Sequence, residues 1–258
     1  MFTLLQMIGS MFIAFLNATG AFFLFTVHAV SHCFRPPFFF QQWARQFFQI
    51  GYLSLPVVGL TAIFTGMVLA LQSYTGFSRF SAESSIATVV VLSMTRELGP
   101  VLAGLMVAGR IGASIAAEIG TMRVTEQIDA LVTLSTNPFK YLIVPRLWAG
   151  VIMLPLLVLA ADAIGVFGGY LVATYKLGFN SANYIHQTFT YLKAEDVNSG
   201  LIKAAVFGFI IALCGCYSGY TSKGGAQGVG IATTSAVVSA SILILICNYL
   251  LTAILFGT

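Results

Sequence analysis

Five long apolar runs, at about residues 50–72, 86–109, 142–173, 201–220 and 234–256, leave this chain few ways to fold. A helix rises about 1.5 Å per residue and the hydrocarbon core of a bilayer is about 30 Å thick, so each run is long enough to cross it. No water reaches the backbone there, and a helix bonds its own N–H and C=O groups. The expectation is an all-α polytopic membrane protein. Composition agrees: 58% of the 258 residues are hydrophobic and 8% are charged. A soluble domain of this length would need more charge to cover its surface.

The same numbers exclude some partners. A net charge of +4, carried by scattered rather than clustered Lys and Arg, argues against nucleic acid. Cys33, Cys214, Cys216 and Cys247 form no CxxC pair and mostly lie in apolar runs, as packing residues do. The first basic residue is Arg35, so no basic region precedes the first apolar run and a cleaved signal peptide is not expected.

Ahead of the spans, residues 1–33 are apolar and end at Arg35-Pro36-Pro37, with a length that permits either a span or a helix lying in the interface. His28 and His32 are four apart, but no acidic or Cys partner joins that face, so they read as interfacial histidines and no metal site is expected. The next stretch, FFFQQWARQFFQ at 38–49, alternates aromatics with Gln and Arg45, which suits the headgroup zone and an entry helix on the cytoplasmic face. The chain thus divides into an N-terminal interfacial and entry region, 1–49, and a five-span region, 50–258. Basic residues orient it: Arg35, Arg45, Arg110, Arg123, Lys140, Arg146 and Lys223 fall on one side, and Arg79, Lys176, Lys193 and Lys203 on the other, beside Glu83, Glu195 and Asp196. The positive-inside rule puts the first set, with the 110–141 connection, in the cytoplasm.

Chemistry concentrates between Arg96 and Leu131. Arg96 and Glu97 lie about ten residues into the second run, near mid-membrane, where a charge costs about 2.5–3.5 kcal/mol and therefore faces a cavity or a partner. Pro100 lacks the N–H that would bond the Arg96 carbonyl, which leaves that oxygen free and the helix prone to bend. Such a turn can line a cavity for a polar headgroup, because Arg grips phosphate through two parallel hydrogen bonds, or it can form a structural ion pair between helices. Asp162, alone in the third run, is a second intramembrane charge whose partner the sequence does not name. Small residues recur every fourth place at Gly104, Ala108, Gly112, Ala116 and Gly120, and again at Ala161, Gly165, Gly169 and Ala173. Either stripe permits close helix approach, within the chain or across a homodimer. Beyond the second run, Glu118, Arg123, Glu126 and Asp129 interleave with Ile119, Met122, Ile128 and Leu131 in one short amphipathic helix, about 117–134. Its apolar face can dock in a partner's groove or rest on the bilayer.

Enzyme signatures are missing. No G-x-x-x-x-G-K-[ST] exists, so Lys223-Gly224-Gly225 is not a nucleotide loop, and there is no H-E-x-x-H for zinc. Ser114 in Gly112-Ala113-Ser114-Ile115-Ala116 loosely matches an intramembrane serine protease motif, but the only downstream histidine, His186, falls in an outer loop. The competing classes are a self-contained channel or ion-coupled carrier built on Arg96, Glu97 and Asp162, and an intramembrane hydrolase built on Ser114.

The run RELGPVLAGLMVAGRIGASIAAEIGTMRVTEQIDAL at 96–131, PRLWAGVIMLPLL at 145–157 and GGAQGVGIATTSAVV at 224–238 together resemble the MlaE family of lipid-transport permeases. The similarity covers nearly the whole chain and is weakest over the first 35 residues. It implies the permease subunit of an ABC transporter that moves phospholipid between the inner and outer membranes of a Gram-negative envelope, with no enzymatic activity of its own. Family members pair as homodimers, each with an N-terminal interfacial helix, five transmembrane helices and a cytoplasmic coupling helix. The implied partners are a cytoplasmic ATPase (MlaF), which holds the ATP and Mg, a STAS-domain protein (MlaB) and an outward-facing MCE-domain hexamer (MlaD). Arg96, Glu97 and Leu98 match positions lining the lipid cavity between protomers, and Leu69, Phe77 and Phe80 match its apolar wall. Phe80 stands where a relative has Tyr, so no hydroxyl is implied there. The coupling helix that inserts into the ATPase corresponds to the stretch bearing Glu118, Arg123, Glu126 and Asp129.

Overall fold

The computed structural model describes residues 2–33, 35–37, 39–78 and 85–256, and among them every regular element is helical. The helices are α1 (Phe2–Cys33), α2 (Phe40–Ile50), α3 (Leu55–Phe77), α4 (Ile86–Val124), α5 (Gln127–Thr133), α6 (Phe139–Tyr175), α7 (Ser181–Tyr191), α8 (Ala194–Tyr220) and α9 (Gly225–Phe256). The five expected spans are α3, α4, α6, α8 and α9. α1 is also long and apolar enough to cross a membrane.

Small residues decide how these helices meet. Helices in lipid gain little from hiding apolar surface, so they associate where backbones approach closely. At the α3–α6 crossing a Cβ on Gly66 would collide with the Gly165 carbonyl, and one on Gly168 with the Ile63 carbonyl. At the α6–α8 crossing Gly150 and Gly208 lie so close that a Cβ on either would strike the other's carbonyl oxygen. α8 is the central strut, buried against α4, α6 and α9 along most of its length. The stripe on α4 packs inside the chain as well: Gly104 faces Phe207 and Ile244, Gly112 faces Ile211, and Gly120 faces Ser222 and Val229. Gly104, Ala108 and Gly112 are therefore covered by α8 and α9 of the same chain, the packing that the intrachain reading of that stripe expects. The ladder on α6 is covered by α3 and the first turns of α4.

Three other expectations change. The second span does not end near Gly109; α4 continues unbroken to Val124, because no proline or turn sequence interrupts the stripe of small residues. The charged stretch 117–134 is two helices, the end of α4 and the short α5, parted at Thr125 and Glu126, where Glu126 adopts a left-handed φ of 57°. Lys203 and Asp196 are not outer-loop charges, since α8 starts at Ala194 and leaves Lys203 0% and Asp196 1% exposed.

The N-terminal region joins the bundle at one end only. Phe25 of α1 packs on Tyr217 and Tyr220 at the end of α8, and His28, edge-on, and His32, tilted, pack against Phe139, while Met11 to Leu16 are exposed. α2 lies on α6 through the Trp43–Trp148 contact and a 2.8 Å bond from Gln42 Nε2 to Tyr141 Oη. Where α2 breaks into α3, Arg110 of α4 donates to Ser54 Oγ at 2.7 Å and to the Gln49 carbonyl at 3.4 Å, which satisfies backbone that the break frees.

Candidate functional site

Arg96 and Glu97 occupy a widened π turn of α4, Met94–Leu98, immediately before Gly99-Pro100. They do not pair with each other. Arg96 reaches Asp196, with Nε at 2.7 Å and Nη2 at 2.6 Å from Oδ1. Glu97 Oε1 accepts from Lys203 Nζ at 2.7 Å and from Thr252 Oγ1 at 3.0 Å, and Oε2 accepts from Asn248 Nδ2 at 3.0 Å. The carbonyl of Arg96, which Pro100 cannot bond, accepts from Lys203 Nζ at 2.9 Å. One buried lysine thus repairs the backbone defect and neutralises the neighbouring carboxylate.

The result is a quartet of two cations and two anions, neutral overall, which ties α4 to α8 and α9. Its exposure is lopsided. Asp196 and Lys203 are sealed, at 2% and 0% of side-chain surface, whereas Arg96 and Glu97 remain 38% and 37% exposed. The face they present is flanked by Phe256, whose ring lies 4.7 Å from the Arg96 guanidinium carbon. Lys203, Asp196, Asn248 and Thr252 were not singled out from the sequence. A signal existed for two of them: Asp196 and Lys203 are opposite charges seven apart, which puts them on one face of a helix two turns from each other.

Of the apolar positions, Leu69 and Phe77 lie away from this turn and Leu98 lies on it. Leu69 and Phe77 pack with Ala70, Ile86 and Val90 between α3 and the start of α4, and Leu98 is half-buried on the Arg96 turn. Phe80 lies outside the described residues. Asp162, buried on α6, faces Gly99 of α4 and forms no hydrogen bond or ion pair with the quartet among the described residues.

At the other end of α4 the charged residues separate into two groups. Glu118 is held by Arg146, which is 3% exposed and also donates to the Leu142 carbonyl at 2.6 Å; the Glu118–Arg146 distance is 2.8 Å. This ion pair fastens α4 to α6. Arg123 bridges to Asp129 at 2.8 Å and lies over Tyr220 at 5.8 Å, so it fastens α5 to the bundle. The apolar positions of the stretch turn inward: Ile119 and Ile128 are fully buried, and Met122 and Leu131 pack on the core. The exposed residues of α5 include Asp129 and Val132, and the residues that cap it, Glu126 and Leu134, are exposed too.

The family model for Permease MlaE matches residues 43–254. The chain belongs to the MlaE permease family. Relatives of this MlaE-family permease include a probable ABC transporter permease protein of Rickettsia felis, 66% identical over 249 residues that cover 96% of both chains. A second, from Rickettsia conorii, is 64% identical over 99% of both chains. The intermembrane phospholipid transport system permease protein MlaE of Haemophilus influenzae is 39% identical over 83% of this chain and 82% of its own length. This MlaE-family permease is accordingly a multi-pass membrane protein and the permease subunit of an ABC transporter, a transport component rather than an enzyme. The family implies an ATPase partner.

Proposed function

We propose that two copies of this chain pair so that the open face of Arg96 and Glu97 closes onto a cavity, and that this cavity holds a phospholipid in transit between the inner and outer membranes of a Gram-negative cell. The observation that carries this reading is the lopsided quartet. Charges held within spanning helices are costly when they face hydrocarbon, yet Arg96 and Glu97 stay over a third exposed while their counter-ions are sealed. A second protomer and a bound headgroup would cover them. Arg96 suits a phosphate oxygen, and the apolar residues Leu69, Phe77, Phe80 and Leu98 suit acyl chains. The phospholipid named for the Haemophilus influenzae relative fits that chemistry.

The exposed α5, with Glu126, Asp129, Val132 and Leu134, docks the cytoplasmic ATPase (MlaF), which binds ATP and Mg. Closure of the ATPase pushes on α5, the Arg123–Asp129 and Glu118–Arg146 bridges pass the movement to α4 and α6, and the π turn at Arg96 reshapes the cavity. The STAS-domain protein (MlaB) and the MCE-domain hexamer (MlaD) complete the assembly on its two sides. The test is phospholipid transfer by the purified complex in proteoliposomes. Glu97→Gln keeps the size of the side chain, removes its charge and leaves Lys203 beside a neutral partner, so transfer is measured per assembled complex; it should be slower by about tenfold or more, since a charge-assisted hydrogen bond is worth about 1.5–3 kcal/mol. Full transfer by that variant would remove Glu97 from the transport site. A chain that conducts or carries ions with no ATPase bound would replace the proposal with the channel reading.

A further inference from the structure

A cavity of about 580 Å³ lies between α4, α6, α7 and the first turns of α8, and Thr95 rather than Arg96 or Glu97 is what the π turn contributes to it. Its walls are apolar, and Leu159, Phe167, Ile185 and Phe189 stand exposed around it. Two polar side chains line it without partners. Asp162 is 8% exposed and makes no hydrogen bond or ion pair among the described residues; its Oδ1 is sealed against Gly99. Tyr184 is 4% exposed, and its hydroxyl, lodged beside Gly169, is likewise unpartnered. Asp162 and Gly169 are seven residues apart on α6, two turns or about 10 Å along the helix. Both ends of one wall therefore carry an unfilled hydrogen bond.

A buried polar group left unsatisfied costs about 1–3 kcal/mol; Asp162 Oδ1 and the Tyr184 hydroxyl are sealed from the cavity, so the oxygen an occupant can reach is Asp162 Oδ2. Water fits poorly, because a buried water takes roughly two to four polar partners and these posts are far apart among apolar walls. The volume suits a small organic ligand, for which pockets of about 300–1,000 Å³ are usual. Because three of the helices that wall the cavity, α4, α6 and α8, are spanning helices and its exposed rim is aliphatic and aromatic, the occupant comes from the lipid phase. At Asp162 a hydroxyl is the complementary group: it donates to a carboxylate and accepts from a carboxylic acid, whichever form is present. We infer that this cavity binds a single-chain lipid headed by a hydroxyl, with the hydroxyl at Asp162 and the chain along α6 toward Phe167 and Phe189. The site is separate from the Arg96 and Glu97 face and does not depend on the transport reading.

The experiment uses the full chain in nanodiscs and two photoreactive probes with the same diazirine-bearing sixteen-carbon chain, one ending in a hydroxyl and the other in a methyl group. The alcohol should label peptides from 159–170 and 184–192 about fivefold more than the methyl-ended chain, the ratio one net hydrogen bond supplies. Asp162→Leu should abolish that preference, and Ala163→Trp, at an exposed position of the lining, should reduce labelling by the alcohol while thermal unfolding stays unchanged. Equal labelling by the two probes, or a preference that survives Asp162→Leu, overturns the proposal. If Asp162→Leu fails to fold, Ala163→Trp decides alone: undiminished labelling by the alcohol places that lipid outside the cavity.

Discussion

Replacing Lys203 by Met would remove the one cation that serves both the Glu97 carboxylate and the Arg96 carbonyl. Met keeps most of the apolar stem, so the change isolates the ammonium group. Glu97 would lose its counter-ion within a spanning helix, where an unpaired charge costs at most about 2.5–3.5 kcal/mol, the value at a helix centre. The bonds from Asn248 and Thr252 remain and, at about 0.6 kcal/mol each for hydrogen bonds within a membrane, offset about a third of that. The Arg96 carbonyl, which already lacks the Pro100 donor, would be orphaned at about 1–3 kcal/mol. Together these give a destabilisation of about 2–5 kcal/mol, a large part of the roughly 5–15 kcal/mol that holds a folded domain. The assay is reversible unfolding of the purified chain in mixed micelles with increasing SDS. Adding Glu97→Gln removes the orphaned charge, so the double variant should recover about half the loss, a coupling energy of about 1–2 kcal/mol. Lys203→Met within about 0.5 kcal/mol of the parent, or strictly additive effects in the double variant, would refute the repair role given to Lys203.

Glu118→Gln should cost about 3–5 kcal/mol, because it leaves Arg146 buried beside a neutral partner, and a drop in Tm of the detergent-solubilised chain would register it. Arg123→Ala removes an exposed bridge worth less than about 1 kcal/mol, so Tm should hardly move, whereas lipid-transport-coupled ATP hydrolysis in the assembled complex should fall. Gly150→Val would drive a side chain into the Gly208 carbonyl, and overpacking of that kind costs about 3 kcal/mol or more; the variant should accumulate poorly in membranes, and normal accumulation would contradict the backbone contact at that crossing.

Much of the site was legible because charge in a hydrophobic run is conspicuous. Arg96, Glu97 and Pro100 stood out against their surroundings, and the free Arg96 carbonyl could be deduced from the absent N–H of Pro100 alone. What filled that vacancy was not legible, because Lys203 lies 107 positions away and its charge read as an outer-loop signal. Topogenic rules count basic residues near span ends, and they fail when a span begins seven residues earlier than the hydropathy run that reveals it, at Ala194 rather than about Leu201. The coupling stretch shows the same limit. Its apolar spacing was seen, but spacing cannot tell a face turned to a partner from one turned to its own bundle, and Ile119 and Ile128 are turned to the bundle.

By itself the sequence determined what local chemistry determines: that the chain is helical and crosses a membrane, which turn of α4 carries charge, and where backbones can approach closely. Those properties follow from hydropathy, backbone hydrogen bonding and side-chain size, all of which act within a few residues. Only the tertiary structure decided which helix covers the stripe at Gly104, Ala108 and Gly112, which cation answers Glu97, and that Asp162 has no partner among the described residues and lies beside a cavity. Pairings of that kind depend on the depth and rotation of helices far apart in the chain, and many registers bury similar apolar area in lipid, so close packing and the matching of a few buried charges select one.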